Sequence, residues 1–272
     1  MSTPIQTLFD LRGKTALVTG GSRGLGLQMA EALGEAGARL VLSARKTDEL
    51  ESASATLRDK GIDAHWIAAD LSQASETERL SEQALAHLGW IDVLVNNAGA
   101  TWGAPAEDYP LAAWDKVMNL NIRSIFLMSQ AVGKRSMIPR SHGQGPGGYS
   151  GGRIINIASI AGLGGNGPQL SMLAYNTSKA AVINFTRALA GEWGKYRINV
   201  NALAPGMFRS KMTQGTFDRL GADALAAHAP LRRVGDDDDL KGAAVLLASA
   251  AGKHITGQTL AIDGGVSAIV GD

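Results

Sequence analysis

Tyr175 and Lys179 lie four residues apart in the segment Tyr175-Asn176-Thr177-Ser178-Lys179, so on a helix the phenol and the ammonium share one face. A phenol titrates near 10 and is a poor acid or base at neutral pH. A fixed positive charge stabilises the phenolate, and bringing the pKa toward ~7 takes about 4 kcal/mol. The pair therefore predicts a proton donor tuned by its neighbour. Upstream, Ser159 closes the apolar run Arg153-Ile154-Ile155-Asn156-Ile157-Ala158-Ser159. A hydroxyl at the carboxyl end of a buried strand stands where an open α/β sheet receives its ligand, and it can hold a carbonyl oxygen. The competing reading of Ser159 alone is a serine capping the next turn.

A second constellation is Thr19-Gly20-Gly21-Ser22-Arg23-Gly24-Leu25-Gly26, set between an apolar run and an amphipathic segment. Glycines at a helix N-terminus let the backbone approach a pyrophosphate, which the free N–H groups and the dipole attract. A plain tight turn is the alternative. The next apolar run ends in Ser43-Ala44-Arg45 without a carboxylate to take a ribose 2′-hydroxyl. Arg45 and Arg23 instead offer two cations for a 2′-phosphate, so the expected dinucleotide is NADPH/NADP+ rather than NADH, unless both arginines are ordinary solvated charges.

These groups need a scaffold. Seven short apolar runs, at residues 14–19, 39–43, 64–68, 91–96, 153–158, 197–203 and 258–262, alternate with amphipathic segments at 25–36, 48–60, 75–88, 114–137, 173–193 and 237–249. Near-continuous apolar strands separated by helices predict an α/β Rossmann fold: a seven-stranded parallel, doubly wound sheet flanked by helices, with residues 1–272 as one domain. The helices at 114–137 and 173–193 carry apolar residues on more than one face, which predicts burial against another subunit in preference to a deep core beneath extra loops. Residues 140–152 are rich in glycine and read as a solvent loop, and Asp236 to Asp239 read as a helix cap and solvated face.

Composition narrows the functional classes. In 272 residues the chain has 45% apolar residues, 26 basic against 25 acidic side chains, 34 glycines and no cysteine. The balance gives no electrostatic footprint for nucleic acid or an anionic membrane, and no apolar run approaches the ~18 residues of a span. The lack of cysteine removes disulfides and thiol nucleophiles and fits a cytoplasmic protein. No leader is expected at the N-terminus. Five scattered histidines show no ligand spacing, so no metal is expected.

With Asp70-Leu71, Asn96-Asn97-Ala98-Gly99, Asn121, Pro205-Gly206 and Asp263-Gly264-Gly265 added in order to the glycine turn, Ser159, Tyr175 and Lys179, nearly the whole chain resembles the short-chain dehydrogenases/reductases. The resemblance implies that Asp70 and Leu71 contact adenine and that Asn97, Ala98 and Gly99 line the adenosine side. It also implies that Tyr175 is the general acid and base, that Lys179 holds the nicotinamide ribose, that Ser159 polarises the carbonyl and that Asn121 holds a relay water. Gly20, Ser22, Arg23, Gly24, Leu25, Gly26 and Arg45 complete the cofactor set. Pro205, Gly206 and Phe208 would cover the nicotinamide, with Ser210 bonding its carboxamide. A homotetramer is the implied assembly.

Segments 100–103 and 204–213 are similar to the 3-oxoacyl reductases, particularly the rhamnolipid-pathway type. Trp102 and Met207, with Leu163, Leu170, Met172 and Phe208, suit an apolar carbonyl chain. The expected substrate is thus a small-molecule carbonyl or alcohol, foremost a 3-oxoacyl thioester, free or carrier-bound, with Lys134, Arg135, Arg140, Lys195 and Arg197 available to an acidic carrier. A sugar acid, a steroid or another secondary alcohol stays open, as does a non-catalytic NADPH-binding sensor.

Overall fold

Each of the seven apolar runs is a strand. A computed structural model describes residues 3–144, 149–166 and 170–269. The elements run α1 (Ile5–Leu8), β1 (Thr15–Thr19), α2 (Gly24–Glu35), β2 (Arg39–Ala44), α3 (Thr47–Asp59), β3 (Ala64–Ala68), α4 (Ala74–Leu88) and β4 (Val93–Asn96). Next come α5 (Leu111–Met118), α6 (Ser124–Val132), α7 (Ile138–Ser141), β5 (Arg153–Ile157), α8 (Leu173–Trp193), β6 (Asn199–Pro205), α9 (Gln214–Leu220), α10 (Ala222–Ala227), α11 (Lys241–Ala248) and β7 (Thr259–Ile262).

All strand pairs are parallel, in the order β3-β2-β1-β4-β5-β6-β7. Successive side chains of each strand enter opposite layers. Val18, Leu40, Leu42, Val93 and Val95 pack with Met29, Leu33, Leu50, Leu57 and Leu247 on one face. Leu17, Val41, Leu94, Ile154 and Val200 pack with Leu80, Met128, Val132 and Leu189 on the other. Each fully buried side chain of this size contributes roughly 1.5–3 kcal/mol, which is why runs apolar at every position are stable only between two helical layers. The chain winds outward from β1 to β3 and then returns to place β4 on the other side of β1. Their carboxyl ends diverge there and leave a crevice.

The helix expected at 114–137 is longer. It runs from α5 to α7 through two π turns, Asn119–Arg123 and Gly133–Met137. Such turns shift the side-chain register locally and often mark functional positions. The first contains Asn121; at the second, a Cβ on Gly133 would meet the Trp193 ring at 2.3 Å, so only glycine lets α8 approach so closely.

Three expectations change. The extra apolar faces are largely covered within the chain: Ile125, Val182 and Ile183 join Ala158, Ala202 and Ala204 in a third cluster, leaving chiefly Phe126 and Leu173, 45% and 46% exposed. The expected solvent loop is anchored at both ends. Arg140 is buried and ion-paired with buried Asp92, and the Tyr149 hydroxyl accepts from Gly152 N at 2.8 Å; residues 145–148 of that loop lie outside the described residues. The segment from Met207 to Leu231 holds α9 and α10. The Asp236 to Asp239 run is a paired network rather than a free cap: Asp239 binds Arg233, Asp237 accepts from Gln28 at 2.7 Å, and Asp238 lies 3.1 Å from Lys241.

No helix among the described residues is long and apolar enough to cross a membrane.

Candidate active site and dinucleotide cleft

At the crevice, the β1–α2 turn is built by close backbone packing. Gly24 has φ +52°, in the left-handed region that favours glycine, and a Cβ on Gly26 would lie 2.2 Å from the Gly20 carbonyl. Asn97 braces the turn: its Nδ2 donates to the Thr19 and Gly20 carbonyls at 3.2 and 3.0 Å, while Thr19 Oγ1 accepts from Asn97 N and Ala98 N. The resulting cleft, about 230 Å³, is walled by Gly20, Ser22, Arg23, Gly24, Leu25, Arg45, Asp70, Leu71, Asn97, Ala98, Gly99 and Ser210, all named from sequence. Gly26 lies beneath its floor, against Gly20.

Ser43, Lys46 and Glu49 also line the cleft and had not been singled out. Glu49 corrects the expectation that a carboxylate is absent. It enters from the first turn of α3, accepts from Arg23 Nη1 at 2.6 and 2.8 Å and lies 3.4 Å from Lys46 Nζ. A search of the β2 end misses it because a helical turn carries the carboxylate back. Arg45 has no ion-pair partner among those described. Ser43 Oγ is buried with no hydrogen-bond partner, a polar group left for something in the cleft. Two cations, an orphan hydroxyl and a glycine cradle fit a phosphate-bearing dinucleotide.

The second group meets this cleft at Gly99: a Cβ there would lie 3.4 Å from Asn121 Oδ1 and 3.8 Å from Lys179 Nζ. Lys179, 4% exposed on α8, donates to the Ile157 carbonyl at 2.6 Å and stands 5.6 Å from the Tyr175 ring centroid. Burial pushes its ammonium down to about 8. Burial also pushes the Tyr175 phenol up, while a hydrogen bond from Ser159 pulls it down. The lowered phenol expected from the Tyr175–Lys179 spacing is therefore reversed in the protein alone. Desolvation is the largest cause for both groups.

Ser159 fills the capping reading, its Oγ accepting from Ala161 N at 3.2 Å at the start of a short turn, and its hydroxyl also bonds the Tyr175 phenol. Asn121 is fully enclosed. Its Nδ2 donates to the Ala100 carbonyl at 2.9 Å and to Ser178 Oγ at 3.0 Å, and its Oδ1 accepts from Ala100 N at 2.8 Å. The side chain is thus committed to protein partners. Ser178, absent from the sequence reading, completes this set.

Other expected residues fall elsewhere. Phe208 is 3% exposed, its ring against Gly235, and with Met207 it lines a second cavity beside Asp263 to Ala268, so its ring does not face the dinucleotide cleft. Gly206 N donates to the Ile262 carbonyl at 2.9 Å, fixing the Pro205-Gly206 segment at the end of β6. Trp102 is 44% exposed, its loop tied to the start of α8 by Ala104 N donating to the Ser171 carbonyl at 3.0 Å. Among the expected docking charges, Arg140 is internal, Arg135 binds Glu78 and Glu82, and Arg197 stacks on Tyr149. Among the described residues no cluster of three or more His, Cys, Asp or Glu groups is placed to hold a metal ion.

A family model described as short chain dehydrogenase matches residues 14–221. The rhamnolipids biosynthesis 3-oxoacyl-[acyl-carrier-protein] reductase of Pseudomonas aeruginosa is 42% identical over 260 residues, covering 94% of this chain and 97% of that protein. The 2-dehydro-3-deoxy-D-gluconate 5-dehydrogenase of Dickeya dadantii is 40% identical over 264 residues, 96% and 98% of the two chains. A solved gluconate 5-dehydrogenase from Burkholderia cenocepacia, in complex with NADP and tartrate, superposes with a TM-score of 0.89 at 34% identity, covering 98% of this chain and 100% of that one.

Proposed function

The chain belongs to the short-chain dehydrogenase family, and from that premise we propose that it is an NADP(H)-dependent oxidoreductase that interconverts a carbonyl and a secondary alcohol, foremost reducing a 3-oxoacyl thioester. The observation that carries this reading is the meeting of the two groups at Gly99, where the dinucleotide cleft adjoins Lys179 and Asn121. The bound nicotinamide supplies or takes the hydride.

In this reading the chain's own residues position and move the proton. Gly20, Ser22, Gly24, Leu25 and Gly26 shape the phosphate turn, and Arg23 and Arg45 receive the 2′-phosphate. Asp70, Leu71, Asn97 and Ala98 line the adenosine side, and Ser210 takes the carboxamide. Pro205 and Gly206 brace the nicotinamide side through backbone alone. Tyr175 gives its phenolic proton to the carbonyl oxygen as that oxygen gains charge, Ser159 donates to the same oxygen, and the Lys179 ammonium stabilises the phenolate left behind. A phenol held above its ordinary pKa is protonated at neutral pH and ready to act as the acid. Asn121 fixes the Ala100 and Ser178 backbone and hydroxyl around it.

Exposed apolar side chains support a chain-like substrate: in this reading Trp102, Leu163 and Met212, each 44–46% exposed, form an apolar rim. Most docking charges are engaged internally, so a free thioester is the form to test first. A second reading, a sugar acid, is favoured by one contact: Lys116 Nζ sits 5.6 Å from the Trp102 ring centroid and puts a positive charge at this rim. The Dickeya relative is equally in its favour. A homotetramer belongs to the same proposal, supported by exposed Phe126, Leu111 and Leu173 on α5, α6 and α8, and light scattering that shows a monomer at micromolar concentration refutes it.

The test is NADPH oxidation with an acetoacetyl thioester, 5-ketogluconate and a bulky cyclic ketone. Fastest turnover of the thioester supports the acyl reading. Fastest turnover of the ketogluconate replaces it with the sugar acid. Silence on all three leaves an NADPH-binding sensor.

A further inference from the structure

Glu49 places a carboxylate in the part of the cleft assigned to the 2′-phosphate. Its two oxygens hold Arg23 Nη1 at 2.6 and 2.8 Å, and Ser22 Oγ donates to it at 3.4 Å. Lys46 Nζ is 3.4 Å away. Two of the three nearby cations are thereby engaged by one anion, while Arg45 stays without an ion-pair partner among those described. The side chain is 23% exposed, so this is a partly screened pair and not a buried structural bridge.

The geometry points to Glu49 as a specificity-determining residue: it competes with the 2′-phosphate for Arg23 and so restrains the preference for NADP(H) over NAD(H). This rests on the proposed dinucleotide reading and deepens it. A 2′-phosphate entering between Arg23 and Arg45 must share or take over the Arg23 guanidinium that Glu49 already holds. A ribose bearing only hydroxyls makes no such demand on Arg23. The two arginines alone thus overstate the selectivity of the cleft, and Arg45 carries most of it.

Dissociation constants of NADP+ and NAD+, measured by calorimetry, test this in wild type, Glu49→Gln, Arg23→Ala, the double variant and Arg45→Ala, with thermal unfolding confirming each fold. Glu49→Gln keeps the size and hydrogen-bonding capacity and removes the charge. It is expected to tighten NADP+ by about 3- to 10-fold, the scale of one partly exposed charge pair, and to leave NAD+ within about 2-fold. In the Arg23→Ala background the gain should shrink to within about 2-fold. Unchanged or weaker NADP+ binding by Glu49→Gln overturns the inference, and so does an undiminished gain without Arg23. Arg45→Ala separates the two levels. Equal loss for both dinucleotides refutes the 2′-phosphate reading itself, whereas a loss confined to NADP+ with an inert Glu49→Gln refutes only the role of Glu49.

Discussion

Lys179 sits 5.6 Å from the centre of the Tyr175 ring with its ammonium anchored on the Ile157 carbonyl at 2.6 Å, so α8 and the end of β5 hold the two groups in one geometry. That position is costly to the ammonium, whose pKa burial pushes from 10.5 down to about 8. Between about 8 and 10.5 the unfolded chain binds the proton that the folded chain has released, so this residue makes stability rise with pH across that window. Thermal unfolding from pH 8 to 10 should show a rise in wild type relative to Lys179→Met. Parallel curves for the two proteins would remove the depressed ammonium from the account.

The fully buried Asn121 side chain makes three bonds from its π turn. Asn121→Ala leaves Ala100 N, Ala100 O and Ser178 Oγ without their partner, at a cost of roughly 1–3 kcal/mol for each group that stays unsatisfied. Urea unfolding should register a net loss of about 2–4 kcal/mol, tempered by relaxation. A change below about 0.5 kcal/mol, the scale of ordinary surface substitutions, would show that the network is not structural.

Arg140 and Asp92 form a buried ion pair, the pair also contacting the Trp90 and Tyr149 rings through the guanidinium. Removing the cation strands a buried carboxylate, so Arg140→Ala should destabilise by about 3–5 kcal/mol in denaturant unfolding. Unaltered stability with weakened handling of a carrier-borne substrate would restore the docking role expected from sequence.

Gly26→Ala brings a Cβ within 2.2 Å of the Gly20 carbonyl and 2.4 Å of Asn97 Nδ2, so the turn must shift. Titration should show NADP+ affinity falling more than about 10-fold, beyond what one lost surface contact gives. Wild-type affinity in this variant would show that the turn does not shape the cleft.

The strands were legible because burial on both faces leaves its mark in nearly every position of β1, β4, β5 and β6. The cleft residues from Gly20 to Gly99 were legible because each follows a strand end whose position the apolar run gives. What escaped depends on groups remote in sequence or on a helix bringing a group back. Asp92 lies 48 residues before Arg140, so a glycine-rich stretch read as solvent conceals a buried anchor. Glu49 returns to the β2 end only after the first turn of α3. Phe208 carries an aromatic signal consistent with ligand contact, yet the ring-to-glycine packing at Gly235 takes it into the core. The π turn at Asn121 leaves the apolar pattern of its helix intact and so gives no periodic sign of itself.

Tyr175→Phe removes one oxygen from the phenol that donates the proton while the ring and the cleft walls stay in place. NADPH oxidation with the best substrate of the panel should fall by about 10²- to 10⁴-fold, the range for loss of a general acid, with the NADP+ dissociation constant within about 2-fold of wild type. Turnover within about 3-fold of wild type at saturating substrate would contradict the assignment of Tyr175 as the acid, because a lost general acid costs at least about 10²-fold.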